Sequence, residues 1–270
     1  AYVITIDDIT DLVIAQRSTA WADVARRIAH EIKNPLTPIQ LSAERLKRRY
    51  GRQIAEDDRK VFDQCTDTIV RQVEDIGRMV DEFSAFARMP KPTKEKGDLR
   101  AVLTDAVFLR EMGNTHVSFI RDFGDEPLEG LFDSRMLGQA FGNIIKNAVE
   151  AIEALPSDAV RGELKVMVRS RRNETNGQYV IDVIDNGKGL PIENRHRILE
   201  PYMTMREKGT GLGLAIVKKI IEDHGGQLEL HDAPADFDGG NGAMIRIILP
   251  PAPVASGSDV TQDKDYSHGG

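Results

Sequence analysis

The sequence predicts a two-part, α plus α+β protein: a long helical hairpin that pairs into a dimeric four-helix bundle, followed by an α/β two-layer sandwich. Three observations carry this. Apolar residues recur at steps of three, four or seven through most of residues 12–88. Met89-Pro90-Lys91-Pro92-Thr93-Lys94, with two prolines and several charges, then stops the helical pattern. Beyond it, helical periodicity mingles with strand-like alternation to residue 250, with at least four strands, as layered sandwiches require.

Taken in order, Tyr2-Val3-Ile4-Thr5-Ile6 alternates as a strand, and Asp7-Asp8-Ile9-Thr10-Asp11 breaks it with turn and capping residues. So short a strand cannot form a sheet alone. Residues 1–11 are therefore expected to be the end of a domain lying upstream, and the chain, opening on Ala1 in mid-strand, a piece of a longer protein. Residues 12–50 read as a helix through Trp21, Val24, Ile28, Ile32, Ile39, Ala43 and Leu46. Pro35 and Pro38 interrupt that run, which predicts a kink or local opening just after His30. Gly51 ends it, and Glu56-Asp57-Asp58 place negative charge where a second helix begins.

That second helix, residues 57–88, carries a heptad stripe of Phe62, Cys65, Ile69, Val73, Ile76, Val80 and Phe83. Helices of ~30 residues run ~45 Å, and a lone hairpin of that length buries too little. Pairing with a second copy is the economical solution, so 12–89 is assigned to the dimerising hairpin. Residues 90–97 are read as a linker stiffened by proline. In the sandwich, 98–250, helices are expected at 98–109, 135–154 and 211–224. Strands are expected at 117–120, 163–169, 179–185, 227–231 and 244–249. Residues 251–270, rich in Pro, Gly, Ser and Asp, are predicted to be a disordered tail.

Composition narrows the function classes. With 270 residues, 40% hydrophobic and 29% charged, the chain can form one or two cores. A net charge of −7 argues against general nucleic-acid binding, and the basic run at 45–52 reads as a solvated helix face. One cysteine, Cys65, excludes an internal disulfide. No apolar run reaches the ~18 residues of a membrane span.

Four stretches can carry chemistry. Ala29-His30-Glu31-Ile32-Lys33-Asn34 presents an imidazole, a carboxylate and a carboxamide in quick succession on a helix. Asn143 and Asn147 are four apart, so both amides share a helical face and can offer oxygens to a hard cation such as Mg²⁺; alone, the pair also fits a surface feature. Asp185-Asn186-Gly187-Lys188-Gly189 leaves a strand, placing a carboxylate where it can accept from an exocyclic amine beside glycines that admit a flat ring, although Asp-Asn-Gly is also ordinary turn chemistry. Gly209-Thr210-Gly211-Leu212-Gly213 leads into a helix and suits a polyphosphate through free backbone N–H groups, or closes as a lid. Arg206 and Lys208 stand just before it. His224, at a helix end before Gly225-Gly226, reads as a cap and dipole partner rather than a catalyst. His116, His196, His231 and His268 show no ligand spacing.

In this order and separation, the stretches resemble a sensor histidine kinase core: an H-box at His30, an N-box at Asn143–Asn147, a G1 box at Asp185–Gly189, an F-box at Glu200-Pro201-Tyr202-Met203-Thr204 and a G2 box at Gly209–Gly213. The wording from Lys33 to Leu41 is similar to that of NtrY-type nitrogen-regulation kinases, and Asp7-Asp8-Ile9-Thr10 resembles the exit of a PAS sensor domain. The resemblance implies a HisKA hairpin and a GHKL (Bergerat) ATP-binding sandwich. It implies His30 as phosphoacceptor, Glu31 as its hydrogen-bonding base, and Asn34 as the residue that positions water in a phosphatase reaction. Asn143 and Asn147 would bind Mg²⁺–ATP, with Lys146 beside them. Asp185 would hold the adenine amine, Gly187 and Gly189 would line its pocket, and Gly209, Thr210, Gly211, Leu212 and Gly213 would face the phosphates, with Arg206 near the γ-phosphate.

The resemblance further implies a homodimer that passes its phosphate to a response regulator, and a cytoplasmic portion of a bacterial sensor anchored in the inner membrane by upstream segments. Two departures stand out. Tyr202-Met203-Thr204-Met205-Arg206 differs from the commoner F-box wording, and Glu150 occupies a place where a basic or neutral residue is more usual. Two rival readings stand beside this one. One is an ATPase of the same nucleotide fold without histidine phosphorylation, which would lack a His-Glu box on a hairpin. The other is a non-catalytic adaptor docking a response regulator, which would not need the nucleotide set.

Overall fold

The computed structural model describes residues 10–124, 126–156, 162–201, 203 and 211–251, with side chains from residue 23 onward. The expected upstream strand (residues 1–9) and the tail beyond 251 lie outside the described residues. Two helices, α1 (Thr10–Tyr50) and α2 (Glu56–Ala87), form the hairpin. The turn between them closes with a Gly51 N–H to Lys47 C=O bond of 3.0 Å.

α1 stays helical through Pro35 and Pro38, so the local opening expected after His30 does not occur. Each proline removes a backbone donor, from the carbonyls of Glu31 and Asn34 respectively. Cross-hairpin pairs bracket the weakened turns, Lys33 with Asp81, Gln40 with Glu74 and Lys47 with Asp67. Both prolines are exposed, so their rings project into solvent rather than into α2.

Small residues make the contact inside the hairpin. Ala25, Ala29 and Ala43 of α1 and Thr66, Val73, Val80 and Ser84 of α2 are buried. The heptad stripe of α2 therefore splits. Val73 and Val80 are buried, whereas Cys65, Ile69 and Ile76 stay exposed. Larger apolar residues on α1 (Val24, Ile28, Ile32, Ile39, Leu46) and on α2 (Val61, Ile69, Ile76, Met79) remain 37–60% exposed. A single hairpin thus buries its small side chains and leaves its large ones in water, the reverse of what burial favours.

The sandwich holds a five-stranded sheet of β2 (Ser118–Asp122), β4 (Lys165–Arg172), β5 (Tyr179–Asp185), β7 (Ala243–Leu249) and β6 (Gln227–Asp232), in the order β2-β4-β5-β7-β6. Only β2 and β4 run parallel. Helices α3 (Leu99–Gly113), α4 (Ser134–Glu153) and α5 (Gly213–Asp223) share one core with it. Leu103, Val107, Phe141, Ile144, Ile145 and Val217 meet the alternate strand residues Val166, Val168, Ile181, Val183, Ile245 and Ile247 there. This is the two-layer sandwich that the sequence predicts.

Across the sheet face that bears the other alternate residues, five charges stand in register: Asp122, Arg169, Asp182, Arg246 and Glu229, one per strand with alternating sign. Arg246 grips Asp182 with two bonds of 2.7 and 3.0 Å, and Arg169 Nε lies 3.3 Å from Asp122. A one-residue slip would turn each charge to the core face, so the row fixes strand register.

One strand pair was not foreseen. β1 (Glu95–Asp98) pairs antiparallel with β3 (Glu129–Phe132), so the last residues of the expected linker form a strand. Glu95-Lys96-Gly97-Asp98 shows no apolar alternation, because pairing at a sheet of two strands rests on backbone bonds. Asp98 also caps α3 through Arg100 N–H and accepts from Leu128 N–H, each at 3.0 Å, which locks the start of the sandwich.

Candidate functional site

α4 begins at an Asp N-cap: Asp133 accepts Met136 N–H at 2.9 Å, and its other carboxylate oxygen accepts Thr93 N–H at 3.1 Å. Its buried face, Ile144, Ile145 and Ala148, seats the helix on the sheet, leaving Asn143 and Asn147 half-buried at the core's margin. Asn143, Asn147 and Ala151 lie four apart and form one stripe.

The loop after β5 comes to that stripe. Gly187 packs against the backbone of Ala151, so closely that a Cβ there would lie 2.6 Å from the Ala151 carbonyl carbon. Lys188 N–H donates to Ala151 C=O at 3.2 Å. The Asp185 loop therefore meets α4 about one turn beyond Asn147, on the helical stripe that carries both asparagines. Asp185 is buried at the end of β5, and one of its oxygens accepts Gly187 N–H at 2.9 Å. Gly189 takes φ +74°, and the backbone of Gly242 abuts it.

Two contributors were not singled out from sequence. Asn186 is buried and braces the loop: its Oδ1 accepts Lys165 N–H at 2.8 Å, and its Nδ2 donates to Glu163 C=O at 2.8 Å and to Asp238 at 3.2 Å. Gly242, at φ +107°, lies directly on the Asp185 carbonyl. The run Gly239-Gly240-Asn241-Gly242 was a legible turn signal, but nothing local says which strand end it touches.

Lys146 is exposed and pairs with Glu150 at 3.7 Å, so the unusual carboxylate meets a cation on its own helix. Gly211, at φ +70°, leads into α5; Leu212 is buried in the core as its N-cap, and Gly213 opens the helix. Leu212 therefore anchors one end of the glycine stretch to the sandwich. Tyr202, Thr204, Met205, Arg206, Lys208, Gly209 and Thr210 lie outside the described residues.

Glycine backbone at residues 187, 189 and 242, rather than side chains, surrounds the buried Asp185, a lining chemically compatible with a flat base such as adenine. Among the described residues no group of three or more His, Cys, Asp or Glu side chains could hold a metal ion. A cation at Asn143 and Asn147 would thus rest on amide oxygens and phosphate, a donor set suited to Mg²⁺.

His224 turns out to be a structural joint rather than a charged dipole partner. It is buried at the C-cap of α5; its Nδ1–H donates to Ile220 C=O at 2.7 Å and its Nε2 accepts Asp133 N–H at 3.0 Å. An acceptor Nε2 means a neutral ring. Burial pushes its pKa below the ordinary 6.5, outweighing the bond to Ile220 that favours the charged form. At Asp133 burial raises the carboxyl pKa, but the N–H donors of Met136 and Thr93 prevail and hold it below its ordinary value.

A depressed histidine pKa means that the unfolded chain binds the proton first, so stability is full above about pH 6.5 and falls as pH drops below it. Thermal melts of the chain should show the sandwich losing stability between pH 7 and 5. His224→Gln should flatten that slope, and an unchanged slope in the variant would rule His224 out as its source.

On the hairpin, His30, Glu31 and Asn34 are all exposed. Glu31 does not turn to the imidazole here: its Oε1 accepts Arg27 Nε–H at 3.0 Å.

Comparison with known proteins agrees with this arrangement. The His Kinase A (phospho-acceptor) domain family matches residues 20–92, and the Histidine kinase-, DNA gyrase B-, and HSP90-like ATPase family matches residues 132–253. The chain is 59% identical over 248 residues to the nitrogen regulation protein NtrY of Azorhizobium caulinodans, covering 92% of this chain and 31% of that one. It is 32% identical to the sensory histidine kinase/phosphatase NtrB of Rhodobacter capsulatus, covering 85% and 62%. Its fold is similar to that of histidine kinase ThkA, solved in complex with response regulator protein TrrA, with a TM-score of 0.60 and 23% identity over 92% of this chain and 69% of that one. The chain thus spans less than two thirds of either curated relative.

Proposed function

Because the chain belongs to the sensor histidine kinases, of the NtrY type, we propose that it uses Mg²⁺–ATP to phosphorylate His30 and passes the phosphoryl group to an aspartate of a response regulator in nitrogen-related signalling. The observation that carries this reading is the meeting of the Asn143–Asn147–Ala151 stripe with the Asp185–Gly189 loop, on a sandwich joined to a hairpin that exposes a histidine. An adaptor has no use for that pocket, and a plain ATPase has none for the hairpin.

In this reading a ring nitrogen of His30 attacks the γ-phosphorus, the bond to the bridging oxygen breaks, and ADP leaves with the electron pair. Glu31 takes the proton from the other ring nitrogen. Asp185 accepts from the adenine amine, and the backbone N–H groups at Gly211–Gly213 meet the phosphates, where the α5 dipole favours negative charge. Mg²⁺, held at Asn147 and Asn143, supplies charge neutralisation for a transfer that depends chiefly on positioning. Asn34, one turn beyond His30, positions water when the kinase dephosphorylates its partner.

The hairpin's uncovered apolar face supports a homodimer, in which a second hairpin covers Ile28, Ile32, Ile69 and Ile76. The sandwich then swings about the segment before Thr93, since Thr93 is tied to Asp133 and Glu95–Asp98 to β3.

Incubation with Mg²⁺ and γ-labelled ATP tests the reading. Label that survives alkali and is lost in acid is expected. ATP turnover without such label would replace the reading with the ATPase one, and absence of nucleotide binding would replace it with the adaptor. Within the same reading, Asp185→Asn should weaken ATP binding by roughly 10- to 100-fold, as expected on losing a charged hydrogen bond. The fold should persist, because an Asn oxygen can still accept Gly187 N–H. Calorimetric titration measures this, and wild-type affinity would remove Asp185 from the adenine site.

A further inference from the structure

We propose that Arg27 is a further catalytic residue. It holds Glu31 away from His30 in the resting chain, then moves onto the incoming γ-phosphoryl group and releases the carboxylate to take the ring proton. The proposal rests on the reading of His30 as phosphoacceptor. With about 100° of helical rotation per residue, Arg27 stands about 60° around α1 from His30 and Glu31 about 100° in the same direction. The ion pair therefore occupies one flank of the imidazole.

Two other cations neighbour His30, and each is held elsewhere. Arg26 is bonded to Asp23 at 2.9 Å, and Lys33, on the opposite flank, is paired with Asp81 of α2. Of the three, Arg27 is the one whose partner is the residue beside His30, so moving it changes what that carboxylate can do.

The exchange follows from relative strengths. The side chains of Arg27 and Glu31 are 82% and 63% exposed, which makes their pair weak and easily opened. A phosphoryl group presents more oxygens and more charge than one carboxylate, and a guanidinium binds it with two parallel N–H donors. Arg27 thus prefers Glu31 when no nucleotide is near and the phosphoryl group when it arrives.

The chemistry balances without a further reactant. The His30 lone pair forms the P–N bond, and the bond from the γ-phosphorus to the bridging oxygen breaks with its electrons going to ADP. The remaining ring proton passes to the freed Glu31 oxygen. Arg27 stabilises the charge that develops on the phosphoryl oxygens, and the latch keeps the base disengaged until then.

The test compares Arg27→Gln, Arg27→Lys, Glu31→Gln and the double Arg27→Gln/Glu31→Gln chain for the rate of acid-labile labelling at saturating Mg²⁺–ATP. Arg27→Gln is expected to lower that rate by roughly 10- to 1000-fold with KM for ATP little changed, as for loss of one transition-state donor. Arg27→Lys should recover most of the rate. The double chain should be no slower than the slower single one, since the two residues act as a unit. A wild-type rate in Arg27→Gln, losses that multiply in the double chain, or a loss that tracks helicity measured by circular dichroism overturns the proposal. An unlabelled wild-type chain overturns the phosphoacceptor reading and this proposal with it, whereas a labelled wild type with an unaffected Arg27→Gln overturns this proposal alone.

Discussion

His30→Gln is expected to abolish the acid-labile, alkali-stable label while leaving ATP binding to the sandwich intact. Glutamine offers no nucleophilic nitrogen, and removing the nucleophile of a covalent step leaves nothing for the phosphoryl group to join. The substitution is mild structurally. His30 is exposed, glutamine is a better helix former, and surface changes of this kind usually stay within about 0.5 kcal/mol. Autoradiography after acid and alkali treatment, with calorimetry for nucleotide binding, separates the two effects. Persistent acid-labile label in the variant would move the phosphoacceptor to another histidine. Loss of nucleotide binding together with the label would mean that the variant had not isolated the hairpin's chemistry.

The second large effect is expected far from any side-chain chemistry. Gly242→Ala should destabilise the sandwich by more than about 3 kcal/mol, the combined scale of a strained backbone and an overpacked contact. Nucleotide binding should fall with it. Gly242 lies at φ +107°, where L side chains are rarely found, and a Cβ there would overlap the Asp185 carbonyl oxygen. The obstacle is backbone on both sides, so no side chain can rotate away. Register places Asp185 opposite Ala243, so the clash falls at the strand end that carries the carboxylate proposed to hold adenine.

For a sandwich of this size a loss of 3 kcal/mol corresponds to a fall in Tm of roughly 6–12 °C. Gly138→Ala is the matched control. It lies inside α4, and its new Cβ would meet Val102 at an ordinary 3.6 Å. The control should be neutral or stabilising by up to about 1 kcal/mol, as alanine is over glycine within a helix. Equal melting temperatures for the two variants would show that the backbone at residue 242 can yield.

Much of this architecture was open to reading because its signals are local. A heptad stripe, two prolines in a linker and the alternation of β4, β5 and β7 are each carried by residues within a few positions of one another. The helix over α4 was read for the same reason, with Asn143 and Asn147 on one face. Where a local signal was weak or misleading, the reading failed. Pro35 and Pro38 predict a kink or opening, yet α1 stays helical through both, with the Lys33–Asp81 and Gln40–Glu74 contacts to α2 on either side. β1 and β3 were missed because Glu95-Lys96-Gly97-Asp98 has no apolar period, and its pairing with Glu129–Phe132 is a long-range backbone contact.

The candidate site divides in the same way. By itself the sequence determined which chemical groups are present and which secondary element bears each: an imidazole on a helix, two amides on another, a carboxylate at a strand end, glycines before a helix. The tertiary structure alone decided who meets whom. It set Gly187 on Ala151, Gly242 on Asp185 and His224 on Asp133. Periodicity encodes the face that a residue presents to its own element's surroundings. It does not encode which distant backbone packs there, because that is settled by the close packing of the whole sandwich.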